Sequence, residues 1–190
     1  MTKKALLVFG CAAVAVAGLL LSMVVVPRVV PDRHAQVVAP VSAQAHWAEH
    51  FNSLRQMRAS ADVIVLARHI AAQPGRVEDA PADPLPFTNN WFETVQAIKG
   101  NPGASFVAEQ TGGALEGVEY SIDDGGPYAP GGCYLLFLKK QPDTSYYYLI
   151  NAQGRFYNEG GKLKAVVRDA ATSRLHGKPE AEALAALKAN

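Results

Sequence analysis

Residues 133–140 read CYLLFLKK. An apolar run of this length, entered from a glycine pair and closed by two lysines, is the pattern of a strand buried in a β-core. Period-two alternation puts Cys133, Leu135 and Phe137 on one face of it. The pattern repeats on either side. C-terminally, QPD makes a turn, TSYYYLIN (144–151) is a further strand, and GRFY (154–157) and KLKAVV (162–167) flank NEGG, a hairpin signal. N-terminally, ADVIVLARHIA (61–71) is a β-branched run and so a buried strand. WFETVQAIKG (91–100) and ASFVAEQT (104–111) are two more, separated by the turn NPG, and VEYSID (118–123) is a weak one. The stretch QPGRVEDAPADPLPFTNN (73–90) carries four prolines and DDGGPYAPGG (123–132) four glycines, so both read as loops.

Six or seven short strands follow one another with no helical segment between them. That favours a mainly β fold, a small antiparallel OB-like β-barrel, over an alternating α/β sheet. One short helix precedes the strands: in HWAEHFNSLRQMRAS (46–60), Trp47, Phe51 and Leu54 fall at helical spacing, with Met57 or Arg58 continuing the stripe. Another follows them, with Pro179 in its first turn and its end near Lys188.

Ahead of this domain, residues 5–26 (ALLVFGCAAVAVAGLLLSMVVV) contain no charge. As a helix the run would be roughly 33 Å long, the thickness of a bilayer's hydrocarbon core. Only Ser22 interrupts it, where a helix packed on a soluble core would show a polar stripe. The expectation is a single N-terminal transmembrane helix acting as a signal anchor. Lys3 and Lys4 hold residues 1–4 as a cytoplasmic stub. Residues 27–45, rich in Pro, Val and Ala, form a tether. Residues 46–170 are the external β-barrel domain, and 171–190 a C-terminal tail with its short helix. Two other fates are open to the segment: cleavage near Ala45, after the A-x-A of Ala43 and Ala45, giving a secreted domain, or lipidation of Cys11.

From residue 46 onward 14 Lys and Arg (18 less Lys3, Lys4, Arg28 and Arg33) face 16 Asp and Glu (17 less Asp32), a formal charge of −2. A nucleic-acid partner needs a basic excess, so none is expected. The same region holds one cysteine, Cys133, which excludes an internal disulfide there.

The order of motifs LRQMRASADVIVLARHI, VQAIKGNPGASFVAEQTGG, APGGCYLLFLKK and NAQGRFY, spanning residues 53 to 166, resembles a class of bacterial extracytoplasmic domains of unknown function. These in turn look distantly like the OB-like barrel of netrin-like and tissue-inhibitor-of-metalloprotease modules. The resemblance implies a fold. The N-terminal zinc-binding cysteine and the disulfides of the inhibitors have no counterpart here, so inhibition is not carried over.

Several stretches suggest chemistry. HWAEH (46–50) has the H-x-x-E-H order of one zinc-protease class, with His46 and His50 as ligands, Glu49 as base, and Glu116 or Glu119 as third ligand. Trp47 and Phe51 need a core, and a small barrel leaves little room for a cleft, so these residues read as the solvated face of an amphipathic helix. Cys133, among apolar neighbours, reads as a buried, inert thiol, with an intermolecular disulfide as the alternative. Tyr146, Tyr147, Tyr148, Phe156 and Tyr157 offer a stacking surface for a sugar or peptide, or simply fill the barrel wall. The glycines of QTGG and DDGG open no helix and so make no phosphate loop, and DDGG lacks the ligand spacing of a calcium loop.

No residue is nominated as catalytic, cofactor-binding or metal-ligating, and no cofactor is expected. The expected function is a membrane-tethered extracytoplasmic module that binds a protein or envelope partner through loops 73–90 and 121–132. A small zinc metallohydrolase is the alternative. A structural role, with Gly10 and Gly18 allowing close packing of the membrane helix, is a third.

Overall fold

The computed structural model describes residues 41–43, 49–78, 84–122 and 125–189. The expected anchor (5–26), Cys11, most of the tether, His46, Trp47, Asp123 and Asp124 lie outside the described residues. Among the described residues, no helix is long and apolar enough to cross a membrane.

In chain order the elements are β1 (Val41–Ala43), α1 (Leu54–Ser60), β2 (Val63–Glu78), β3 (Leu85–Lys99), β4 (Ser105–Thr111), β5 (Gly113–Leu115), β6 (Val118–Ile122), β7 (Cys133–Lys140), β8 (Tyr147–Leu149), a 3-10 turn at Ala152–Gly154, β9 (Arg155–Glu159), β10 (Lys162–Ala165) and α2 (Glu180–Ala189). The fold is mainly β. Seven strands form one sheet in the order β10-β9-β7-β2-β3-β4-β8, and β1, β6 and β5 form a second.

Strand β7 is the branch point. One edge pairs along its length with β2, from Val63 opposite Leu138 to Arg68 opposite Cys133. The other edge is shared. Residues 134–136 pair with β9 and residues 138–140 with β8. The β8 arm returns to β4 and completes a ring through five strands, β7-β2-β3-β4-β8. The last link is a single parallel pair, Ala108 opposite Tyr147, so the ring is not a clear antiparallel barrel.

The unbroken apolar runs of β2 and β7 follow from their position. Both are covered on two faces, so neither alternates. Val63, Val65, Ala67, Leu136 and Leu138 join Phe92, Phe106 and Tyr147 in one core cluster. Ile64, Leu66, Leu135 and Phe137 face the other way. There they meet Leu54 and Met57 of α1, Phe156 and Leu163 of the β9–β10 hairpin, and Leu184 and Leu187 of α2. The C-terminal segment is therefore part of this core. Burying each of these Leu or Phe side chains contributes about 1.5–3 kcal/mol.

Three local features differ from the sequence reading. First, the leading helix is short. Residues 49–53 are not helical, and Ser53 caps α1 with its Oγ accepting from the Gln56 N–H. Second, residues 73–78 and 85–90 are not loop but the outer half of a long β2–β3 hairpin, paired from His69–Phe92 out to Glu78–Leu85. Beyond Arg68 the other edge of β2 has no β7 partner, and free edges tolerate proline. Third, Val41–Ala43, within the expected tether, pairs in parallel with β6.

Candidate functional site

The zinc-protease reading of HWAEH needs its residues on one helix face. Glu49 and His50 precede α1 instead, and both are exposed. The Glu49 carboxylate accepts from Ser60 Oγ at 3.1 Å and faces Lys139 Nζ at 3.3 Å. Glu116 occupies the tight turn between β5 and β6 at φ 52°, and Glu119 lies on β6 opposite Ala114. Among the described residues, no three His, Cys, Asp or Glu side chains gather as metal donors.

The other nominated residues are dispersed. Cys133 is a free, half-buried thiol at the start of β7. Tyr147 points into the ring and meets Phe106 edge-on at 5.8 Å, and Phe156 is fully buried beside Phe137. Tyr148 and Tyr157 are the exposed ones, on separate strands β8 and β9, so the aromatics are divided between core and surface.

The loop before β7 is pinned down. Tyr128 is buried, stacked on the His69 ring at 5.7 Å and edge-on to Tyr134 at 4.9 Å. The buried Arg155 guanidinium lies over the Tyr128 ring and donates to the carbonyls of Gly126 and Pro127. Residues 125–132 thus serve as a lid on the core.

What stands out on the surface is the outer side of the β2–β3 hairpin. His69 and Phe92 pair across the strands with their rings turned inward, 5.2 Å apart. Alternation then turns Arg68, Ile70, Trp91, Glu93 and Val95 outward. Ile70 is 54 % exposed, Trp91 41 % and Val95 49 %, large values for apolar side chains next to a core. Arg68 and Glu93, directly opposite one another, form an exposed ion pair at 3.6 Å beside them. An aromatic and two aliphatics, with a charged pair beside them, thus lie exposed on one side of the hairpin.

The outer half of the hairpin is held in shape. Arg76 on β2 donates from Nε and Nη2 to the buried carboxylate of Glu109 on β4, at 3.0–3.1 Å, and lies over the Phe87 ring at 3.9 Å. Gln141 Nε2 donates to the same carboxylate at 2.7 Å. Hydrogen bonds to Glu109, then to Glu78, hold the Arg76 guanidinium above its ordinary pKa.

Sequence reasoning missed two side chains that organise the entry to α1. Gln153 in the 3-10 turn imitates a strand: its Oε1 accepts from the Phe51 N–H at 2.9 Å and its Nε2 donates to the Phe51 carbonyl at 2.8 Å. Asn151 donates to the Glu49 carbonyl at 2.9 Å. Both are buried. The available signal was a pair of amides in NAQG directly before a strand, where the sequence reading placed Asn151 at the end of one strand and gave Gln153 no role.

Set against protein-family models, curated proteins and solved structures, the chain matches none of them.

Proposed function

We propose that this chain is a single-pass, membrane-tethered recognition module outside the cytoplasm, and that its β-domain binds a protein partner through the outer side of the β2–β3 hairpin. In this reading residues 5–26 anchor the chain and the five-strand ring is an OB-like scaffold. The scaffold presents its binding surface on a hairpin, where the sequence pointed to loops 73–90 and 121–132.

The single observation that carries the proposal is the adjacency of exposed Ile70 and Trp91, with Val95 further along β3. Trp is among the residues most enriched at binding hot spots, because one rigid side chain buries a large area at little entropic cost. A hairpin braced by Arg76 and Glu109 arrives preorganised, which reduces the ordering cost of association. The stretch 76–83 has one arginine against Glu78, Asp79 and Asp83, so a partner with a basic surface is favoured over an anionic membrane.

The test is crosslinked recovery of the partner from membranes carrying the intact chain. Ile70→Ser with Trp91→Ser is expected to lower recovery by about tenfold or more, equivalent to at least about 1.4 kcal/mol, with the circular dichroism spectrum unchanged. Undiminished recovery from the double variant would overturn the proposal.

A further inference from the structure

We infer that the hollow between α1 and the turn at residues 170–174 is a binding site for a phosphate-bearing anion. The hollow has a volume of about 680 Å³, within the usual range for small-ligand pockets. Arg55, Arg58, Lys99 and Arg174 line it, with the polar side chains of Asn52 and Ser53 beside them, and no Asp or Glu is in its wall.

Four cations around one cavity repel one another unless something neutralises them. Among the described residues, no carboxylate forms an ion pair with any of the four. Lys99 is instead fixed by its neighbours' backbone: its ammonium donates to the carbonyls of Arg58 and Ala61, closing the C-terminal end of α1. Two of its three N–H bonds are used and one remains. Arg58 Nη1 is shut off from solvent with no hydrogen-bond partner among the described residues. A buried guanidinium nitrogen without an acceptor is costly, so the Arg58 charge beside the hollow is under-compensated, which favours an anion there.

The concentration of charge is local. The chain from residue 46 on has a formal charge of −2, obtained as 14 − 16, yet every charged residue of this wall is basic. Guanidinium forks match the oxygen geometry of phosphate, and three arginines with one lysine can meet more than one phosphoryl oxygen at once. The volume suits a phosphate carrying a further group better than the bare ion. Such a group belongs either to a soluble phosphorylated molecule or to a phospholipid headgroup. This site is separate from the hairpin surface and does not depend on that reading.

The experiment uses the full chain in micelles of a neutral detergent at low salt, titrated calorimetrically with inorganic pyrophosphate and, separately, with monomeric short-chain phosphatidylglycerol. Saturable binding of at least one probe is expected, with Kd at or below about 1 mM. Arg58→Gln with Arg174→Gln should weaken it by about tenfold or more, while Lys162→Gln with Lys188→Gln, the same charge loss at exposed positions elsewhere, should leave it within about twofold. If the first pair unfolds the protein, Arg174→Gln alone serves, because Arg174 is exposed. Preference for pyrophosphate assigns a soluble phosphate, and preference for the lipid assigns a headgroup. No saturable binding of either probe, or equal weakening by the two pairs, would overturn the inference.

Discussion

The guanidinium carbon of Arg155 lies 3.7 Å from the centre of the Tyr128 ring, and both residues are buried. Arg155 opens β9, while Tyr128 belongs to the segment before β7, so the contact fastens a glycine-rich loop to the sheet. A desolvated cation over an aromatic face contributes on the order of 2 kcal/mol. The fork of donors to the carbonyls of Gly126 and Pro127 adds to it.

Arg155→Lys is therefore not a mild change. A lysine ammonium cannot reach two carbonyls and stack at once. The substitution is expected to destabilise the domain by about 2–4 kcal/mol, read as a lower urea midpoint. A loss under about 0.5 kcal/mol would mean that the lid is held by its apolar contacts alone.

Gln153 is the clasp on residues 49–53. Gln153→Leu would leave the Phe51 N–H and carbonyl buried without partners, at a cost of about 2–4 kcal/mol. Gln153→Glu should cost a comparable amount, because a carboxylate cannot donate to the Phe51 carbonyl. Hydrogen exchange checks this directly: the Phe51 amide should lose protection in Gln153→Leu, where its acceptor is gone.

His69 points the opposite way. Its ring is 1 % exposed, and neither nitrogen has a hydrogen-bond partner among the described residues. It sits between Phe92 and Tyr128, so His69→Phe removes two unsatisfied polar atoms and keeps the aromatic packing. Thermal unfolding of this variant should show a gain of about 1 kcal/mol.

His176 gives stability a pH dependence. Burial, then the charges of Arg168 and Lys164, hold its pKa below the ordinary imidazole value. Its Nδ1 also accepts the Ala165 N–H at 3.1 Å, a bond that protonation abolishes. The unfolded chain thus binds the proton more readily than the folded one. The contribution is complete above the ordinary value of about 6.5 and is lost as pH falls from there through the lowered folded value. Urea midpoints should decline over that window, and less steeply in His176→Asn, which keeps an acceptor without a titrating ring. Identical slopes for the two proteins would contradict this.

Arg76 braces only the hairpin. It is about half exposed, which limits the worth of its pairing with Glu109 to about 1 kcal/mol. Arg76→Ala should speed amide exchange in residues 73–78 and 85–90 while leaving that of β7 unchanged.

The sequence made the core strands legible because their burial on both faces leaves an unbroken apolar run, as in Cys133–Lys140 and the first half of β2. The β9–β10 hairpin was legible from NEGG, whose Gly160 and Gly161 take φ 59° and 78°. The outer hairpin was hidden by the prolines of residues 73–90: Pro74 lies on the free edge of β2, which accepts it, and composition does not reveal which edge is free. The start of α1 carried a signal that the apolar stripe outweighed: Ser53-Leu-Arg-Gln56 is a capping-box pattern, and Gln56 indeed reaches back to the Asn52 N–H at 2.8 Å. Neither exposed surface was legible. Ile70 and Trp91 look like ordinary strand residues until pairing shows which side faces out, and the four cations of the hollow are spread from residue 55 to 174.

Recognition through the hairpin is tested most directly by site-specific photocrosslinking in intact membranes, with a benzophenone side chain placed at position 95 and, as a control, at position 162 on β10. One discrete adduct is expected from position 95, abolished by adding Trp91→Asp, and none from position 162. Adducts of equal yield from both positions, or an adduct at position 95 that survives Trp91→Asp, would contradict recognition through the hairpin.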